Sequence, residues 1–458
     1  MTKHFPKIKN IILLILISVL AGYLLLVAVY AIPQRFIYKG CANSVSVFER
    51  EDLEEKLFGY PDSTVDVYTD GAMFNTALFD SDESPFIKAV ACHQYGYRDK
   101  SPEQAFRAFF YEEDPDHVVT YTRYWHGFLI VLRPLLLFFN YSDIRVINQL
   151  LQVVLLCLIL IAMSERGLRL QMIPVILVYF YLMPYTLSLC LQYSAVYYIG
   201  FGILFVLLCF YEKLSERERF TELFVLCGIL TSYFDLLTYP AFALGIPLAG
   251  FFMLEFTKGH SLMLPQRVAA TQTPAGDTAL GTFIRVICLS LSFGVGYIGM
   301  WAGKWILSVF FFGTESLRET VDQIRFRSAG EAGSTYSYID TVTNNFFMYK
   351  NTIYRILPLL YLLCIVLVII YNIMKYKRFP VIRMSYAAAF VPVMLIPFAW
   401  MFVAKEHSYV HAFMTYRNLT VALFGLMLFL SLLVQKPDIE QKPDIKGQEQ
   451  TAEKEGQD

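Results

Sequence analysis

Long apolar runs separated by short polar turns fill most of the chain. Ten of them, at residues 11–32, 143–163, 170–188, 193–211, 220–237, 240–256, 283–312, 354–374, 382–404 and 419–434, read as membrane-crossing helices. The pattern predicts an all-α polytopic membrane protein of about ten transmembrane helices, with residues 1–434 forming one domain. A shorter apolar piece, Gly127 to Phe139 (GFLIVLRPLLLFF), holds Arg133-Pro134 and reads as an interfacial or re-entrant helix. The first polar segment, residues 33–142, is long enough for helices of its own. Ser84-Pro85 offers an N-cap followed by proline at the first helical position, and Ser101-Pro102-Glu103-Gln104 adds a capping-box signal. The helix begun at Pro102 sets Phe106, Phe109 and Phe110 on one face, which predicts that it lies along the membrane surface. Two KPDI repeats amid Gln, Glu and Lys predict a disordered tail over 435–458.

Charge orients these elements. Lys3, Lys7 and Lys9 precede the first run, which is too long for a signal-peptide core and reads as a retained signal anchor. Basic residues then recur at alternate turns: Arg166 and Arg169; Lys213, Arg217 and Arg219; Lys258 and Arg267; Lys375, Lys377, Arg378 and Arg383. The intervening turns near 189–192 and 238–239 carry none. The bias predicts an integral plasma-membrane protein with both termini cytoplasmic and with 33–142, 313–353 and 405–418 outside. Composition agrees, since 56% hydrophobic against 17% charged residues excludes an ordinary soluble domain. A formal net charge of −1 argues against a nucleic-acid partner, leaving the lipid bilayer as the first partner of the chain. Six of the eight cysteines fall in apolar runs and read as packing residues; an outside location for Cys41 and Cys92 permits a disulfide.

Polar residues with chemical capacity recur at the outer ends of the runs. Asp66 and Asp70 stand four apart in VDVYTDGAMF. On a helix they share a face; alternatively Asp70 is the N-cap of a helix from Gly71 to Phe79. In TRYWHG, Tyr124 and Trp125 read as interfacial anchors and His126 stays open as a binding group. Asp235, in SYFDLLTYP beside Tyr239, is a carboxylate inside an apolar run, which marks either a functional group or one that escapes to the interface. Lys304, in WAGKW, is either a snorkelling cation or a phosphate-binding ammonium. His407 and His411 are spaced i, i+4, but Ser-Tyr-Val lies between them where a zinc protease carries Glu. With Arg417, and with Arg325 and Arg327 in the 313–353 segment, they suit an anionic ligand better.

These blocks, VDVYTDGAMF and RYWHG within a long first outer loop and SYFDLLTYP, WAGKW and HSYVHAFMTYR beyond it, stand on about ten spans. In that arrangement the chain resembles the GT-C superfamily of membrane glycosyltransferases. The resemblance implies a polyprenyl-phosphate-linked sugar donor and a cell-envelope glycan, lipid or protein acceptor. It implies a first-loop general base, Asp70 in first place and Asp66 in second. Lys304 and Arg417 would stabilise the departing lipid phosphate, with His407 and His411 as further donors. His126, Asp235 and Tyr239 complete the substrate-binding set, and a divalent cation is left open as a cofactor. One departure from the family pattern is that no carboxylate falls between Ile32 and Glu49. Two other functions compete: a lipid-linked polysaccharide transporter, and a polymerase or ligase relying on Arg325, Arg327, His407 and His411.

Overall fold

The first apolar run folds as α1 (Phe5–Tyr30), whose 26 residues extend about 39 Å at 1.5 Å each. The computed structural model describes residues 5–51, 54–111, 113–257, 278–329, 336–349, 352–376 and 383–434. The tail at 435–458, the basic residues Lys258, Arg267, Lys377 and Arg378, and the side chain of Arg327 lie outside the described residues.

The first polar segment contains α2 (Gln34–Ala42), α3 (Val45–Arg50), β1 (Glu54–Lys56), β2 (Thr64–Asp66) and α4 (Val67–Leu78). It continues through α5 (Pro85–Ala91), β3 (Gln94–Gly96), α6 (Pro102–Phe110), β4 (His117–Val119) and α7 (Leu129–Leu136). Strands were not expected here. Both ladders are antiparallel, with Glu55 opposite Val65 and Tyr95 opposite Val118, and each strand is only three residues long. So short a strand leaves no alternation to read in the sequence.

Helix α4 starts four residues earlier than Gly71. Its N-cap is Asp66, whose Oδ1 accepts from Thr69 N at 3.0 Å and whose Oδ2 accepts from Thr69 Oγ1 at 2.9 Å. Asp70 therefore belongs to the first helical turn and caps nothing in its own helix. The capping box at the start of α6 is present, Ser101 N donating to Gln104 Oε1 at 3.1 Å. Its aromatic face does not lie on the membrane surface. Phe106 is buried edge-on against Phe48 and Phe74, and Phe109 stacks on Tyr95 at 4.9 Å. The polar segment has an aromatic core of its own, which takes up that face before lipid can. Gly71 brings α4 close against α6, where a Cβ would overlap Glu103.

Helix α7 has eight residues, far too few to cross a bilayer. Its Arg133 is buried and donates from Nε to Val29 O at 3.0 Å, from Nη2 to Ile32 O at 2.7 Å, and from Nη1 to Ala77 O. One guanidinium thus serves carbonyls at the C-terminal ends of both α1 and α4, where intrahelical donors run out.

The bundle follows as α8 (Tyr141–Glu165), α9 (Met172–Tyr181), α10 (Pro184–Leu189), α11 (Leu191–Glu216), α12 (Phe220–Phe234), α13 (Pro240–Thr257) and α14 (Ala279–Phe312). The described chain closes through α15 (Glu315–Ala329), α16 (Tyr338–Met348), α17 (Thr352–Tyr376), α18 (Met384–Val403), α19 (Lys405–Val410), α20 (Ala412–Thr415), a 3-10 turn at Tyr416–Leu419, and α21 (Thr420–Leu433). Among the described residues, eight helices are long and apolar enough to cross a membrane, as a multi-pass all-α protein requires. The run at 170–188 does not form one span. It breaks between α9 and α10, where Met183 has φ +57° and Pro184 opens the new helix. Helices α9 and α12 have 10 and 15 residues, so the ten expected spans resolve into eight long helices and two short apolar ones.

At 34 residues, about 51 Å, α14 outlasts a hydrocarbon core of roughly 30 Å. Its second half is where the polar segment docks. Trp125 Nε1 donates to Met300 O at 2.7 Å, Trp301 Nε1 to Arg123 O at 2.9 Å, and Ser308 Oγ to Thr122 O at 3.3 Å. Tyr124 and Trp125 are buried in this contact and are not interfacial anchors. Cys41 and Cys92 are buried, free thiols.

Candidate active site

Where the polar segment meets the bundle, the chain lines an open cavity of about 610 Å³. Asp66 and Thr69 reach it from the start of α4, Gln192 from the first turn of α11, and Leu236 from the loop after α12. Of the seven histidines in the chain, His117, His126, His407 and His411 line this one space, from elements nearly 300 residues apart.

Asp66 faces the cavity with its orientation set from two sides. Thr69 holds it from within its own helix, and Gln192 Nε2 donates to Oδ2 from α11. Its backbone N–H lies 3.2 Å from Cys190 Sγ. The end of β2 is thereby tied to the segment that opens α11.

Asp70 does not line the cavity. It is fully buried one turn on, where Tyr141 Oη donates to Oδ2, Leu191 N donates to Oδ2 at 2.9 Å, and Gln192 N points to Oδ1 at 3.4 Å. The carboxylate caps the N-terminus of α11 from another helix, taking up N–H groups with no intrahelical partner. Arg145 Nη2 donates to Tyr141 Oη at 2.9 Å, and Arg145 is paired in turn with Glu51. Burial pushes the Asp70 carboxyl up to about 7, against the Tyr141 and Leu191 hydrogen bonds and the Arg145 charge, which pull it down.

The imidazoles divide by role. His407 Nε2 lies 2.7 Å from Leu237 O, and its ring centroid is 4.8 Å from that of His411. A carbonyl only accepts, so Nε2 of His407 carries the proton. His126 Nδ1 lies 2.9 Å from Tyr124 O, and its Nε2 is buried with no hydrogen-bond partner among the described residues. Burial first, and the Lys304 ammonium second, push the His126 imidazole down to about 3, so it is neutral at physiological pH.

The remaining predicted residues stand away from the cavity. Lys304 is fully buried, its Nζ donating to Val90 O at 2.7 Å, with the Trp125 ring 5.7 Å away. Arg417 is spent on the break between α9 and α10: it donates to Leu182 O at 3.2 Å and to Thr186 Oγ1 at 2.9 Å, and lies 4.0 Å above the Tyr193 ring. Tyr239 donates to Tyr193 O. Asp235 closes a turn by accepting from Thr238 N at 2.9 Å and Thr238 Oγ1 at 2.5 Å. Arg325 lies on an exposed face of α15.

Gln192 escaped sequence reasoning, although a lone amide at the head of an apolar run is a usable signal. His117, on the three-residue β4, carries no such signal. Among the described residues, no three His, Cys, Asp or Glu side chains converge as a metal-ligand set. The His407–His411 pair alone does not fit a divalent cation, and no step is assigned to one. No family model, curated protein or solved structure matches the chain.

Proposed function

We propose that the protein transfers a sugar from a polyprenyl-phosphate donor to a cell-envelope acceptor on the extracytoplasmic face. The observation that carries this reading is the Asp66 carboxylate held in a cavity between a folded polar segment and an apolar bundle. At about 610 Å³ the cavity falls within the usual range of about 300–1,000 Å³ for small-ligand sites. Tyr68, Tyr95, Tyr97 and Tyr121 offer rings for sugar faces, while Phe128, Leu236, Phe413 and Met414 form an apolar wall suited to the start of a lipid chain.

In the reaction, Asp66 takes the proton of the acceptor hydroxyl as its oxygen attacks the anomeric carbon. The bond from that carbon to the lipid phosphate breaks, and its electron pair leaves with the phosphate. Arg123, which lines the cavity and pairs with Glu319 at 2.7 Å, is the guanidinium placed to offset the growing negative charge. Asp66 replaces Asp70 as first choice for the base because Asp70 is occupied in capping α11. The assay is transfer of labelled glucose from undecaprenyl phosphate in membranes carrying the chain, with a panel of lipid-linked hexoses and pentoses beside it. Acceptor-dependent release of the lipid phosphate is expected; no release from any member of the panel would remove the reading.

The charge bias puts the polar segment outside. Asp82 is exposed and serves as a marker. In a variant with the exposed Cys157, Cys209, Cys288 and Cys364 changed to serine, Asp82→Cys should react with an impermeant maleimide in intact cells. Reaction only after permeabilisation would invert the orientation.

A further inference from the structure

We infer that His126 Nε2 is a hydrogen-bond acceptor built to receive one hydroxyl of the sugar bound in this cavity, which makes His126 a specificity-determining residue. The inference rests on the proposed function and narrows it. Four observations meet at this residue. Its side chain lines the cavity and is 2% exposed. Its Nδ1 faces Tyr124 O at 2.9 Å, so the proton sits on Nδ1 and the lone pair on Nε2. Nε2 itself is buried without a partner among the described residues, an arrangement that costs free energy until a donor arrives.

The fourth observation is the backbone. His126 has φ +52°, a left-handed conformation uncommon outside glycine that histidine, asparagine and aspartate adopt more readily than other side chains. Packing holds it there: Gly127 N donates to Tyr233 O at 2.9 Å, and a Cβ at Gly127 would overlap Tyr233. Packing therefore fixes the backbone that sets this imidazole in the cavity wall. The Tyr121 ring, 4.8 Å away, and the Phe128 ring, 5.6 Å away, wall the imidazole in and limit its swing.

The acceptor character has a chemical consequence. A phosphate oxygen brings only lone pairs at neutral pH and would be repelled by Nε2, whereas a hydroxyl supplies the missing proton. Asp66, another acceptor on the cavity wall, has the same preference. Nε2 itself is matched to a hydroxyl of the sugar and not to a phosphate oxygen. Loss of a hydroxyl that pairs with a buried acceptor typically costs far more discrimination than loss of a methylene group.

Two measurements test the assignment. Nitrogen NMR of histidine-labelled protein in lipid nanodiscs, with the His126 signal identified by its loss in His126→Asn, should show a neutral Nδ1–H ring at pH 6. An imidazolium or an Nε2–H ring there would overturn the assignment. Undecaprenyl-phosphate-linked glucose and its 2-, 3-, 4- and 6-deoxy analogues are then compared as donors. In the wild type one deoxy position should lower kcat/KM by about 10-fold or more. His126→Asn, which tolerates the left-handed backbone but places no acceptor at Nε2, should abolish the penalty at that position alone. His126→Gln, whose amide oxygen reaches the Nε2 position, should restore it. An unchanged deoxy profile in His126→Asn would sink the assignment and leave the proposed function standing. Failure of the wild type to use any lipid-linked sugar would remove both.

Discussion

Asp66→Asn is expected to lower the transfer rate about 10²–10⁴-fold, the usual contribution of a general base, while the protein remains folded. The substitution is nearly isosteric. An asparagine oxygen still accepts from Thr69 N, so the cap of α4 survives at a cost of only a few tenths of a kcal/mol to about 1 kcal/mol. What disappears is the ability to hold a proton. The loss should fall on kcat, with KM little changed, because the base acts only as the acceptor hydroxyl attacks. Rates are read as lipid phosphate released per unit of folded protein, with folding checked by thermal unfolding in detergent. A rate within twofold of wild type would mean that Asp66 is only the cap of its helix.

Asp70→Ala is expected to act on stability instead, by about 1–3 kcal/mol, because it removes the acceptor from buried donors. The lost carboxylate would leave Leu191 N without an acceptor and would free the Tyr141 hydroxyl beside Arg145. The Gln192 contact to Asp66 depends on the same docking of α4 against α11, so transfer should decline as a consequence of misplacement. The pH dependence has a defined sign. The Asp70 pKa is raised from 3.8 to about 7, so between these values the folded protein binds more protons than the unfolded chain. The contribution of this group to stability is therefore full below pH 4, declines as pH rises towards 7, and levels off above it. Relative to wild type, Asp70→Asn should flatten this fall in Tm between pH 4 and 7. An identical slope in the two proteins would contradict the burial of an ionisable carboxyl at this position.

Much of the architecture is legible in the chain because bilayer-length apolar runs leave one structural solution, as for Tyr141–Glu165 and Leu191–Glu216. The ends of elements were less so. Asp66 and Asp70 are both good capping residues near a helix start, and their spacing alone does not say which is the cap. The choice is made by Leu191, 121 residues further on, whose N–H needs a carboxylate and finds Asp70. Trp125 and Lys304 look like interfacial residues because such side chains are amphipathic. They are buried because α14, at 34 residues, is longer than a bilayer core requires and the polar segment closes over its second half. Arg417 illustrates the same limit: a guanidinium at an outer face suggests an anion, yet the broken helix at Leu182 and Met183 consumes its donors. His407 and His411 were legible as a pair from their spacing. Their meeting with His126 and Asp66 was not, since it depends on contacts across the whole chain.

The central claim is that the lipid-linked sugar binds in the cavity between the polar segment and the bundle. It is tested most directly by photo-crosslinking with undecaprenyl-phosphate-linked glucose carrying a diazirine on the sugar, followed by peptide mapping. Adducts are predicted within residues 65–73 and 407–414, which contribute Asp66, Thr69, His407 and His411 to the cavity wall, and excess unmodified donor should suppress them. Adducts confined to other segments, or insensitive to competing donor, would contradict the account.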